Sequence, residues 1–366
     1  MSWNDILGHQ RPLELFRRAA KRGRLASTYF FVGPHGIGKK KFALKLAQSL
    51  LCEGSDTSQL EPCQSCPACQ QVAALTHPDL LLVSKPKDKN EIPVELFMGD
   101  REHRGQEGLC RDIQLTPFRG GRKVAIIDDA DHLNDEGRNC LLKTLEEPPL
   151  DSILILIGTS VYRQLPTIVS RSQIVRFEPL TNEQVEEILR RREFGDEEVP
   201  ISQMAAWSHG SVQTALEFGN PDFFRMRQRL LGQLSLREPA EYGFFKELQK
   251  FIEDASPDAA QRRQVARAIA DECIEFFATI IREAFVPDSQ TSGSSAATNP
   301  TVKEFSIQTI ANSRTDRLSL AKMAGNAIHR TETFKFHVSA NANLPNILPS
   351  WLIDLGKIFR EEYVAT

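Results

Sequence analysis

Residues 28–51 read TYFFVGPHGIGKKKFALKLAQSLL, and the order of residue types in this stretch decides the fold. Thr28–Gly33 is a short aromatic and β-branched run, the composition of a buried strand. It enters the glycine-rich turn Gly33–Gly38. From Lys39 to Leu51 the apolar residues Phe42, Ala43, Leu46, Ala47 and Leu50 return at helical spacing. Strand, glycine loop and helix in that order present backbone N–H groups and a helix N-terminus to a phosphate. GPHGIGKK at 33–40 fits G-x-x-x-x-G-K, but Lys40 stands where a nucleotide-hydrolysing loop carries Ser or Thr. The missing hydroxyl would have held the magnesium that bridges the terminal phosphates. Gly33, Gly36, Gly38 and Lys39 keep the means to cradle a phosphate, while Lys40 aims a second cation near the metal's position. The pattern leaves open whether nucleotide still binds.

Working outward, Lys123–Asp128 (KVAIID) and Ser152–Gly158 (SILILIG) are further apolar runs, and Gln173–Phe177 (QIVRF) is another strand candidate. Fully apolar strands separated by helical segments imply a parallel sheet covered on both faces. An amphipathic helix precedes the first strand at 11–22, with Leu13, Phe16 and Ala20 on one stripe. Residues 1–178 therefore read as one α/β domain. The strand at 123–128 leads into Asp128 and Asp129, an acidic pair of the kind that holds the magnesium shell and orients the attacking water in a P-loop ATPase. The second acid in such enzymes is usually Glu. Asp draws the carboxylate back by one C–C bond, about 1.5 Å, and a misplacement on the order of 1 Å costs about 100-fold in rate. A plain acidic cap on the turn after a strand is the alternative.

From Pro179 the pattern changes. Thr181 with Gln184 three residues later is a capping-box signature for a helix running to about Arg192. Helical stretches follow near 201–207 and 211–218, with Ser211 as N-cap, and make 179–236 a small all-helical module. Residues 237–366 are again helical in pattern, interrupted by the polar stretch PDSQTSGSSAATNP at 287–300, which reads as a loop.

The 366 residues carry 25% charged and 41% hydrophobic side chains and a net charge of −3, a globular profile with no overall basic field for nucleic acid. No apolar run approaches the roughly 18 to 20 residues of a membrane span. The polar start MSWNDILGHQRP has no apolar signal core, so a cytoplasmic protein without membrane contact is expected. Cys52, Cys63, Cys66 and Cys69 stand at spacings that can close on one ion. Four sulfur ligands leave no position for water, so a structural zinc is expected. Cys110, Cys140 and Cys273 are read as buried thiols.

Together these residues resemble the bacterial DNA polymerase III clamp-loader AAA+ family, which holds gamma/tau motors and delta-prime members. The resemblance rests on DILGHQ at 5–10, GPHGIGKKKFA, the four cysteines, HPDLLLV at 77–83, GGRKVAIIDDADHLN at 120–134 and NCLLKTLEEPP at 139–149. It places Thr159 at the sensor-1 position, and SRS at 170–172 where the family has Ser-Arg-Cys. At the sensor-2 position, where the motors place Arg, HGSVQTAL has Gln213. Lys40, Asp129 and Gln213 weaken one active site while Arg171 is kept. That profile implies the delta-prime type: no hydrolysis by the chain alone, and Arg171 serving a neighbour's site in trans. The family also implies a RecA-like AAA+ domain at 1–178, a helical lid at 179–236 and a C-terminal helical collar at 237–366. Its partners would be the gamma/tau motor and delta subunits, the sliding clamp and, through the complex, primed DNA. A catalytically active gamma/tau-type ATPase and a zinc-bearing DNA-binding adaptor are the alternative readings.

Overall fold

The computed structural model describes the chain except residues 1–2, 55–58, 87–88, 120, 195–198, 236–241, 256–258, 286–299, 313–315, 341 and 365–366. The expected loop at 287–300 therefore lies, but for Pro300, outside the described residues, as does the expected lid–collar boundary. By packing, the chain divides into two compact units, Met1–Gly195 with Ser208–Glu217, and Asp196–Trp207 with Phe218–Thr366.

The first unit is α/β. Its strands are β1 (Thr28–Val32), β2 (Leu80–Val83), β3 (Lys123–Ile127), β4 (Ser152–Gly158) and β5 (Gln173–Arg176). They form one parallel sheet in the order β2-β3-β4-β1-β5. Between and around them run α1 (Gln10–Lys21), α2 (Lys39–Leu50), α3 (Pro67–Ala73), α4 (Glu95–Met98), α5 (Leu109–Asp112), α6 (Asp135–Glu146), α7 (Pro166–Ser170) and α8 (Asn182–Arg191). Side chains alternate across a strand, so a sheet buried on both faces needs apolar residues at every position. β1 and β4 meet this demand: Tyr29, Phe31, Ile153, Ile155 and Ile157 join the core that contains Phe16, Phe42 and Leu46, whereas Phe30, Leu154 and Leu156 join the one that contains Phe97, Leu141 and Ile168. Four of these strands were expected. β2, within the HPDLLLV segment, is an edge strand that periodicity did not separate from its surroundings.

The capping box of α8 is formed as expected, with Gln184 donating its backbone N–H to the Thr181 hydroxyl and accepting from the Thr181 N–H. Helices α9 (Ile201–Trp207) and α10 (Val212–Phe218) also match, and Ser211 accepts from the Thr214 N–H at 3.2 Å. Residues 208–217, with most of α10, pack with the sheet; α9 packs with the second unit.

The second unit is helical throughout its described residues: α9, α11 (Pro221–Leu234), α12 (Tyr242–Asp254), α13 (Ala259–Phe285), α14 (Pro300–Asn312), α15 (Arg317–Ser339) and α16 (Leu344–Val364). α15 and α16 are joined by Phe334 stacked on Trp351 at 4.3 Å between centroids. The Arg227 guanidinium lies 4.0 Å over the Trp207 ring and donates to Glu272 at 2.6 Å, both charges buried. This ties α9, α11 and α13 together. No described helix is long and apolar enough to cross a membrane. Of the three scattered cysteines, Cys273 is buried; Cys110 and Cys140 are only half-buried, the Cys110 thiol donating to the Cys140 carbonyl and the Cys140 thiol to Met98 Sδ, which corrects the expectation for those two.

Candidate functional site

The glycine loop sits at the carboxyl end of β1, next to β4 and one strand from β3, where ligands of open parallel sheets bind. Gly36 has φ +74°, and a Cβ there would stand 2.3 Å from Ser211 Oγ and 2.7 Å from Gln213 Cβ, so only glycine fits between the loop and the start of α10. Gly38, at φ +100°, turns the chain into α2. Lys39 is buried and bends back to donate to the carbonyls of Gly33, at 2.6 Å, and Pro34. Burial pushes its pKa down to about 8, against the attraction of Asp128.

Lys40 does not point away from the site. Its Nζ lies 3.1 Å from Asp128 Oδ2, so the ammonium pairs with the carboxylate at the end of β3. Asp129 has the left-handed φ of +57°, tolerable for Asp. Burial, and then the charge of Asp128, raise its pKa. Thr159 donates both its N–H, at 2.7 Å, and its hydroxyl to Asp131 Oδ2. Asp131 was not singled out in the sequence, although it stands two residues after the acidic pair; its Oδ1 is buried without a partner. Gln213 meets the loop through its backbone, N–H to Gly36 O at 3.4 Å, while its side-chain amide donates along its own helix to Glu217. Gly33, Gly36, Gly38, Lys39, Lys40, Asp128, Asp129 and Gln213 are thus brought together, and Thr159 is joined through Asp131. His9, also missed, is buried beside the loop with Nε2 2.8 Å from Ile37 O, between Phe42 and Phe177.

Arg171 lies elsewhere. It closes α7 just before β5, and β5 starts opposite Tyr29, near the amino end of β1. Four residues of strand separate that level from Gly33, about 13 Å along the sheet at the usual rise. The side chain is half-exposed and bonded to Glu146 Oε1 at 2.8 Å and Thr167 O at 3.1 Å.

The four cysteines form a second site. Their sulfurs all lie within 4.8 Å of one another. Tetrahedral zinc–thiolate geometry, with bonds of about 2.3 Å, sets sulfurs about 3.8 Å apart, and Cys52 and Cys66 stand at 3.9 Å. Backbone N–H groups already aim at sulfur: Cys63 N at Cys52 Sγ, Cys66 N at Cys63 Sγ and Cys69 N at Cys66 Sγ, at 3.3–3.4 Å. Such donors favour thiolate, and those from Cys66 and Ser65 bring the Cys63 pKa to about 6, whereas burial raises that of Cys69. The donor set and its spacing fit one soft divalent ion. Cys52 follows the end of α2, so the cluster joins the far end of the helix that the glycine loop begins.

With this geometry in view, residues 8–181 match the profile of the family described as DNA polymerase III, delta subunit. That match covers just under half of the chain. It is 31% identical to DNA polymerase III subunit delta' of Bacillus subtilis over 226 residues, 61% of this chain and 63% of the relative. To subunit delta' of Pseudomonas aeruginosa it is 36% identical over 157 residues, 43% and 44% of the two chains. DNA polymerase III subunit tau of Escherichia coli is 30% identical over 217 residues, 58% of this chain and 31% of tau. The chain thus spans less than two thirds of the length of each of these relatives. Identity does not separate the subunit types within the family, so the residues of the site must.

Proposed function

We propose that this chain is a delta-prime-type subunit of a bacterial DNA polymerase III clamp loader, working in the cytoplasm, that no longer hydrolyses ATP and lends Arg171 to a neighbouring subunit's ATP site. The observation that carries this reading is the Lys40–Asp128 ion pair. A hydrolysing site needs that carboxylate for magnesium; here an ammonium holds it. The partnering of Thr159 with Asp131 and the turn of Gln213 toward Glu217 support the same reading. Arg171 is too far along the sheet to serve its own loop, and its half-exposed guanidinium offers a planar fork of donors to charge developing on a phosphate. Residues 179–236 would act as a lid and 237–366 as a collar joining the gamma/tau and delta subunits, and the assembled complex would act on the sliding clamp and primed DNA. The four cysteines would hold a structural zinc.

The test is a reconstituted complex carrying Arg171→Ala, followed by ATPase in the presence of clamp and primed DNA. Assembly is expected to survive while hydrolysis at one adjacent motor site falls; arginine supplied across an interface is worth about 10³- to 10⁵-fold. Wild-type hydrolysis by the mutant complex would reduce Arg171 to a brace for Glu146. Turnover by the isolated wild-type chain, on the order of 1 per second, would favour a gamma/tau-type motor instead.

A further inference from the structure

Lys45 lies on α2, the helix between the two sites, and is only 2% exposed. Among the described residues it forms no ion pair; its ammonium donates to the neutral Gln48 Oε1 at 2.8 Å. A buried charge facing only a neutral acceptor is costly and calls for an opposite charge close by. The groups whose ionised forms would oppose the burial cost at Lys45 are the Asp5 and Glu61 carboxylates and the Cys69 and Cys52 thiols. Two of these four belong to the cysteine cluster. Gln48 extends the connection, since its Nε2 donates to the Cys69 carbonyl at 2.9 Å. Cys52 follows Leu51, the C-cap of α2, so the carbonyl end of the helix adds further negative character at the cluster.

Four thiolates around a divalent ion carry a net charge of −2. We infer that Lys45 is the counter-charge of an anionic four-thiolate metal centre, a positioning residue that makes the buried cluster tolerable and couples its occupancy to α2. The inference rests on the cluster binding a metal. Without metal and with neutral thiols, Lys45 is a liability; with metal bound it is compensated. The same side chain therefore destabilises one state and stabilises the other, which a residue with a packing role alone does not do.

The experiment uses the full chain, stripped of metal under reducing conditions and titrated with cobalt(II), then with zinc(II) against a chelator. Lys45→Met keeps the aliphatic stem and removes the charge. It is expected to weaken metal binding by about 10- to 100-fold, the range for residues that support metal ligands, while the metal-free protein melts at the wild-type temperature or above. Lys45→Arg keeps the charge and is expected to retain most of the affinity. Metal binding by Lys45→Met within threefold of wild type overturns the inference, as does an equal loss of melting temperature in its metal-free and loaded forms. The cobalt(II) form of the wild type gives a readout that depends on no variant: the ligand-field and sulfur-to-cobalt charge-transfer bands must be those of a tetrahedral four-thiolate site, and bands of a site with fewer thiolates overturn the anionic centre. A wild-type chain that binds neither metal refutes the metal site itself, an outcome distinct from the others.

Discussion

Replacing Lys40 by Thr removes an ammonium 3.1 Å from the Asp128 carboxylate and supplies the hydroxyl that the loop lacks. Two unit charges at that distance attract by about 5 kcal/mol at an effective dielectric of 20 and about 1 kcal/mol in water. The Lys40 side chain is 41% exposed and that of Asp128 17%, so solvent screening brings the pair to about 0.5–1 kcal/mol. On that scale the variant melts about 2 °C lower. Its larger consequence is chemical, because Asp128 and the introduced hydroxyl would then be free to act as magnesium ligands. Thermal melting with ATP, in magnesium and in EDTA, reads this directly. At a ligand concentration 100 times Kd, binding adds about 2.7 kcal/mol, well above the cost of the substitution. The wild type is expected to melt alike in magnesium–ATP and EDTA–ATP, whereas Lys40→Thr becomes sensitive to the exchange. Hydrolysis stays absent in the variant, since Asp129 and Gln213 are unchanged. A wild-type ATP shift that vanishes in EDTA would refute the reasoning, because a metal would then be seated where the ammonium stands.

In the helical unit, Glu272→Leu removes the carboxylate that is hydrogen-bonded to the buried Arg227 guanidinium and is expected to cost about 3–5 kcal/mol in denaturant unfolding, with Arg227→Met added in the same chain recovering most of it; a single-variant cost below about 1 kcal/mol, the value of an exposed pair, contradicts this. Lys39 supplies the sign of a pH effect. Its pKa of about 8 in the folded chain lies below the ordinary 10.5, so the folded state binds fewer protons between those values and stability from this group rises as pH increases from about 8. Over the same rise the ammonium is lost, and any affinity of the loop for inorganic phosphate is expected to fall between pH 7 and pH 9; equilibrium dialysis showing constant or rising affinity would contradict it.

The strands that carry the site were legible because a sheet buried on both faces leaves no polar position: β1, β3 and β4 read as unbroken apolar runs. β2 was not, being four residues long with Leu81 and Leu82 only half-buried at the edge of the sheet. The spacing of the four cysteines and the glycine loop is local, and the structure brings each set together. What the sequence left dark is long-range. Nothing near Lys40 in the chain indicates that Asp128 would receive it, and nothing near Arg171 indicates Glu146. Lys45 is a different failure. A lysine three residues past Phe42 reads as the solvent side of an amphipathic helix, yet α2 is buried nearly all round, Lys45, Gln48 and Ser49 included.

The seating of α10 on the glycine loop has a consequence for how the protein is made. Gly36 finds its neighbours Ser211 and Gln213 far downstream, and between them the chain leaves the sheet-bearing unit to contribute α9 to the other one. A ribosome adding about 5–20 residues per second therefore exposes the loop for on the order of ten seconds or more before its cover emerges. Fragments cut after α8 or α9 would retain the glycine motif but leave it permanently open to solvent. A gene fragment meant to isolate the phosphate loop in its native setting has to run at least through Glu217, and in doing so it carries α9 away from its own packing partners.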